Sequence, residues 1–155
     1  MIDLDDIDRR IISELQRDGR LAIVDLVDRV GLSATPCLRR VKRLEADGLI
    51  RRYAALVDPK GLGLSTQALV QVSLDDHSEP VVEAFEAAIR QRPEVIACYA
   101  VTGEMDFLLQ VQVADLEAFS EFALKALLRM PGVRGTKSSF IMQTVKSDLA
   151  WAPLK

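Results

Sequence analysis

The hydrophobic period of the chain changes once, and that change limits the fold to two differently built parts. Up to about residue 50 the apolar residues recur every third or fourth position, whereas beyond the turn-rich stretch VDPKGLGLS they alternate every second position. Helices and strands impose these two spacings, so a helical unit is expected to precede a unit containing a sheet. The length of 155 residues accommodates two small domains, and the apolar fraction of 49% is enough to give each a core.

In LDDIDRRIISELQRDGR, Ile7, Ile11 and Leu15 fall on one helical stripe with Ile12 beside it, and Gly19 supplies a stop. A second, shorter helix follows in LAIVDLVDRVGL, with Leu26 and Val30 on one face and Gly31 at its end. Ile23 and Val27 of that helix are more apolar than a solvent face requires. A third helix is predicted from Ala34 after a tight turn, so residues 23 to 42 read as a helix-turn-helix. Ser33 stands at its N-cap position, Pro36 is tolerated in its first turn, and Cys37, Val41 and Leu44 form its inner face with Leu38 on the flank.

The other side of this helix carries Thr35, Arg39, Lys42 and Arg43, with Pro36 and Arg40 toward its edge. The net charge of −3 excludes a polyanion binder that is basic throughout, but the charge is uneven. From Ser33 to Arg52 six Lys or Arg oppose two Asp or Glu, whereas from Leu64 onward eight oppose twelve. A local basic face on a helix after a tight turn suits the major groove of double-stranded DNA. Arg39, Lys42 and Arg43 are expected to attract phosphates, Ser33, Thr35 and Pro36 to face the bases, and Arg40, Arg51 and Arg52 to extend the basic surface.

The whole stretch from LDDIDRRIISELQRDGR through VGLSATPCLRRVKRLE to GLIRRYAALVDPKGLG resembles the DNA-binding domain and linker of the Lrp/AsnC family of leucine-responsive regulators. One departure is Ala22, where the family often has Ser or Thr to cap the second helix; such a loss costs about 1 kcal/mol. The resemblance implies an α+β protein with a winged helix-turn-helix domain followed by a ferredoxin-like βαββαβ domain of the RAM/ACT-like kind.

The residues beyond the linker agree. TQALVQVSLDD places Ala68, Val70, Val72 and Leu74 on one strand face and Gln67, Leu69, Gln71 and Ser73 on the other. A helix capped by Ser78 follows, with Val81, Phe85 and Ala88 or Ile89 inward, then strands in EVIACYAVT and MDFLLQVQVA. A helix capped by Asp115 spans DLEAFSEFALKALLRM, and a last strand lies in TKSSFIMQTV. The echo between RPEV and MPGV punctuates both returns from helix to strand. The split βαβ order puts both helices on one sheet face and leaves a semi-apolar face, with Leu69 and Leu108, for a second subunit to cover. The expected domains are 1–50, a linking strand and loop at 51–64, and an assembly and sensing domain at 65–155. The closing LAWAPLK, with Trp151, reads either as a packing segment on a neighbouring subunit or as a frayed terminus.

A Gly-containing turn with two acids joins two apolar strands in YAVTGEMDFLLQ. Read alone, it is a hairpin turn with Gly103 at its bend. It also resembles the family's G-x-x-D-[YF] hairpin, which implies an effector site for a free amino acid between dimers, carried by Ala100, Thr102, Gly103, Glu104 and Asp106. Asp106 would accept from the ammonium group and the turn amides would receive the carboxylate.

No catalytic constellation, nucleotide-binding loop or metal spacing is visible, so neither an enzyme nor a cofactor beyond an amino-acid effector is expected. The one histidine, His77, reads as a solvated loop residue, and Cys37 and Cys98 as small buried side chains suited to a reducing compartment. No apolar run has the length of a membrane span and the acidic N-terminus lacks a signal-peptide core, so a cytoplasmic, nucleoid-associated protein without membrane contact is expected. The family further implies homodimers that assemble into octamers and control of amino-acid metabolism or transport genes. An effector-independent architectural protein that wraps DNA with little sequence preference is the alternative.

Overall fold

A computed structural model describes residues 3–147, so Trp151 lies outside the described residues. The chain divides into two compact units, one reaching Leu56 and the other spanning Val57–Val145.

The first unit holds α1 (Asp6–Arg17), α2 (Ile23–Val30) and α3 (Ala34–Ala46). Its start is fixed by a capping box: Asp5 accepts from the Asp8 backbone N–H at 2.8 Å, and Asp8 accepts from the Asp5 N–H at 3.3 Å. Ala22 at the N-cap of α2 supplies no side-chain cap, as the sequence foretold, and the helix is held by its neighbours instead. Arg10 Nη2 donates to the carbonyl of Arg29 in the last turn of α2 at 2.7 Å, and Arg29 Nη1 reaches Glu14 at 3.0 Å. Ile11, Leu26, Val30, Cys37, Val41 and Leu44 form the core. Ile23 and Val27 pack against it, which accounts for their apolar character.

The strand expected after α3 is not formed: residues 51–58 carry no regular structure and are exposed. A strand needs a partner for its N–H and C=O groups, and none of the described residues pairs with this segment. Tyr53 instead donates its hydroxyl to Glu45 at 2.8 Å. Burial, with Glu45 second, pushes that phenol up to about 12.

The second unit is one four-stranded antiparallel sheet in the order β2-β3-β1-β4, with β1 Thr66–Leu74, β2 Val95–Ala100, β3 Phe107–Val113 and β4 Val133–Phe140. Helix α4 (Glu79–Arg90) joins β1 to β2. α5 begins at Leu116, passes through a π-helical segment, Phe122–Ala126, and ends as a 3₁₀ turn, Leu127–Arg129. A single helix was expected there. Asp115 caps it as foreseen, through the Ala118 N–H at 2.8 Å. Ser78 stands at the N-cap of α4 without capping it, because its hydroxyl donates to Asp76.

Strand β4 starts and ends earlier than the expected TKSSFIMQTV. Its partner β1 begins at Thr66, so beyond the pair Ala68 and Phe140 only the Ile141 N–H finds a carbonyl, that of Gln67 at 2.9 Å. Both returns from helix to strand are alike, with Val95 N–H donating to Arg92 and Val133 N–H to Met130. The core lies between sheet and helices: Val70, Val72, Leu109 and Val111 meet Phe85, Ile89, Phe119, Phe122 and Leu127. Phe85 and Phe107 stack with centroids 4.7 Å apart.

On the opposite sheet face Leu69 and Tyr99 are 37% and 56% exposed. Its ends are covered by the chain itself. Gln112 Nε2 donates to the carbonyls of Leu64 and Thr66, and Ser73 Oγ meets Met105 Sδ at 3.2 Å, so Gln112 and Ser73 are buried.

Candidate nucleic-acid interface and effector hairpin

Helix α3 turns Cys37, Val41 and Leu44 into the core, which leaves Thr35, Arg39, Lys42 and Arg43 exposed on the other side. Ser33 has extended backbone at the N-cap, but its hydroxyl makes no capping bond, so the first amides of α3 lack a side-chain cap. Thr35 is exposed and Pro36 half-buried in the first turn.

The cations of α3 do not behave as one set. Arg39 and Lys42 have no side-chain partner among the described residues, and Arg51 and Arg52 are exposed. Arg40 and Arg43 are committed elsewhere. Arg40 Nη1 lies 2.6 Å from Asp5 Oδ2 and 2.9 Å from Asp8 Oδ1, and Arg43 Nη2 bonds Asp8 Oδ2. Arg43 was expected to draw phosphates, and the structure gives it a carboxylate within the chain. The cause is Asp8, whose side chain is 1% exposed and whose charge must be met where it is buried. The Asp8 N–H first, and Arg40 second, hold the Asp5 carboxyl below its ordinary value. Sequence reasoning missed both acids as partners of α3, although their spacing at the start of α1 was visible.

In the second unit, β2 and β3 are joined by an exposed turn at residues 101–106, closed by the Val101 N–H on the Asp106 carbonyl at 2.9 Å. Gly103 has φ +121°, a conformation that other residues rarely adopt. Thr102, Gly103 and Glu104 are exposed at its tip. Ala100 borders a hollow of about 380 Å³ between α4 and β2, along with Ile89, Cys98 and Phe107. Cys98, expected to be buried, is exposed because β2 is an edge strand.

Asp106 is used differently from the expectation. Its Oδ2 accepts from the Leu74 N–H at 2.7 Å, and its Oδ1 meets His77 Nε2 at 2.7 Å. The register of β1 shifts between Ser73 and Leu74, and the pairing with β3 ends at Val72, so the Leu74 amide needs an acceptor outside the ladder. Asp106 provides it. The Leu74 N–H, and after it His77, hold this carboxyl below its ordinary value. His77, expected to be a solvated loop residue, is thus part of the latch although its ring is exposed. Both Asp106 oxygens are engaged within the chain, which leaves Ala100 and the exposed Thr102, Gly103 and Glu104 as the remaining members of the expected effector set.

No group of acids, cysteines or histidine among the described residues is arranged to hold a metal ion, and no described helix is long and apolar enough to cross a membrane.

Comparison with known proteins extends this geometry. A family model of winged helix-turn-helix DNA-binding domains matches residues 4–51, and one of the Lrp/AsnC ligand binding domain matches residues 67–151. The chain is 44% identical over 146 residues to the leucine-responsive regulatory proteins of Salmonella typhimurium and of Escherichia coli K12, covering 94% of this chain and 89% of each relative. Among solved structures, it is similar to a transcriptional regulator from Neisseria meningitidis in complex with L-Met, with a TM-score of 0.93 and 44% identity over 96% of both chains. It is also similar to a feast or famine regulatory protein from Mycobacterium tuberculosis complexed with L-methionine, with a TM-score of 0.89, 36% identity and coverage of 97% of this chain and all of that one.

Proposed function

The chain belongs to the Lrp/AsnC family of DNA-binding transcriptional regulators, not enzymes, and from that premise we propose that it reads specific operators and answers to a free amino acid. α3 enters the major groove, Arg39 and Lys42 hold phosphates, and Thr35 and Pro36 meet base edges. A homodimer doubles these contacts and covers the sheet face that carries Leu69 and Tyr99. The amino acid lies where the turn at 101–106 meets a second dimer, within an assembly such as an octamer, and the controlled genes serve amino-acid metabolism or transport.

The observation that carries this reading is the pairing, in one chain, of a helix whose Arg39 and Lys42 have no side-chain partner among the described residues and a sheet domain whose exposed turn offers the backbone amides around Gly103. A convex turn on one protomer cannot enclose a ligand, so the pocket needs a second surface. Two structural neighbours hold methionine, which makes methionine and leucine the first amino acids to try.

The test is a thermal-melt panel of the purified protein against the twenty amino acids, since a ligand that binds only the folded state raises the midpoint. A selective rise, strongest for an apolar amino acid, is expected, followed by a change in operator affinity. A flat panel would remove the effector and leave the architectural alternative, which the ratio of specific to non-specific affinity then decides.

A further inference from the structure

We propose that Asp8 is a positioning residue for DNA recognition: it withdraws Arg40 and Arg43 from phosphate contact and leaves Arg39 and Lys42 to make it. The inference deepens, and rests on, the DNA-binding reading.

Asp8 sits in the first turn of α1, yet both its oxygens face cations of α3, Oδ1 on Arg40 at 2.9 Å and Oδ2 on Arg43. Asp5 adds a second carboxylate to Arg40 at 2.6 Å. Two carboxylates therefore meet two guanidiniums, and the net charge of that cluster is close to zero. A structural tie between α1 and α3 needs only one such bond. The second, to an Arg43 that is still 45% exposed, takes a cation away from the face where phosphates would approach. Buried and hydrogen-bonded at both oxygens and at the capping box, Asp8 cannot swing away when DNA arrives, whereas a surface acid could. Arg39 and Lys42, one helical turn apart on the same helix, meet no such carboxylate among the described residues. The basic face thus acts through fewer cations than it contains. That limits the sequence-independent attraction that every phosphate-binding cation adds, and so raises the weight of base contacts.

Salt dependence separates this role from a purely structural one. Each cation that meets a phosphate contributes about 0.9 to the slope of log affinity against log salt. Binding of the full chain to a mixed-sequence DNA duplex is measured by fluorescence anisotropy across a potassium chloride series, with melts to confirm folding. Arg39→Gln and Lys42→Gln are each expected to flatten the slope by about 0.9 per protomer, and Arg43→Gln to leave it unchanged. Asp8→Asn, which keeps the shape and removes the charge, is expected to steepen the slope and to raise affinity for mixed-sequence DNA. The proposal is overturned if Arg43→Gln flattens the slope as much as Arg39→Gln does, or if a folded Asp8→Asn protein keeps the wild-type slope. Should Asp8→Asn fail to fold, the comparison of Arg43→Gln with Arg39→Gln decides alone. Failure of the wild-type protein to bind any duplex at low salt would instead overturn the DNA-binding reading itself.

Discussion

Gly132 shows how much a single position can constrain this fold. It lies in the turn from α5 to β4 with φ +71°, and a Cβ there would fall inside the van der Waals envelope of Val81 Cγ1. Two costs therefore add, the left-handed backbone at roughly 1–2 kcal/mol and the overpacking at roughly 1–3 kcal/mol. Gly132→Ala is expected to lower stability by about 2–5 kcal/mol in a denaturant titration. Gly48→Ala is the control: its φ is +72° with nothing within 4 Å, so only the backbone cost, roughly 1–2 kcal/mol, applies. Equal losses would mean that Val81 yields. At this scale the sequence was legible wherever a side chain serves its own element, as for the inward Cys37, Val41 and Leu44. It was not legible where a side chain serves another element, as for Asp8 with Arg43 or Asp106 with the Leu74 amide, because those pairs are separated by about thirty positions in the chain.

Elements in both units are joined by carboxylates whose acidity is enhanced, and this sets a pH dependence. Asp5 is held below its ordinary value by the Asp8 N–H and then Arg40, Glu14 by Arg29, Asp76 by Ser78, and Asp106 by the Leu74 N–H and then His77. Because the folded values lie below the unfolded ones, the unfolded chain binds more protons as the pH falls. Their stabilisation is complete above the ordinary values of 3.8 for aspartate and 4.5 for glutamate, and it disappears as the pH drops through the lowered ones. The melting temperature is expected to hold from neutrality to about pH 5 and to fall below pH 4, with Asp106→Asn weakening that fall. A melting temperature indifferent to acid would remove these bonds from the stability of the protein. Element boundaries were less legible than element types. β4 starts three and ends five residues early because its register follows β1, and the strand expected within the linker at 51–64 finds no partner among the described residues.

Over the whole molecule, the open sheet face is the part that the proposed second subunit would cover. Leu69, Leu108 and Tyr99 stand on it among Gln71, Gln110 and Lys137, while its two ends are already buried by Gln112 and Ser73. The second copy proposed for this face would make the association depend on those three side chains. Leu108→Lys, or Leu69→Lys with Tyr99→Lys, is expected to shift the protein toward monomer in sedimentation equilibrium and to weaken operator binding. An unchanged mass would place the subunit contact elsewhere. By itself the sequence determined the two-part organisation, the helix-turn-helix with its basic face, and the split βαβ order, because periodicity, capping and turn residues act over a few neighbours. Only the tertiary structure decided which cations of α3 meet carboxylates within the chain and which acid holds the Leu74 amide beside the turn at 101–106. Charges and amides find partners by distance in space, and a buried carboxylate such as Asp8 takes whichever guanidinium the packing brings to it.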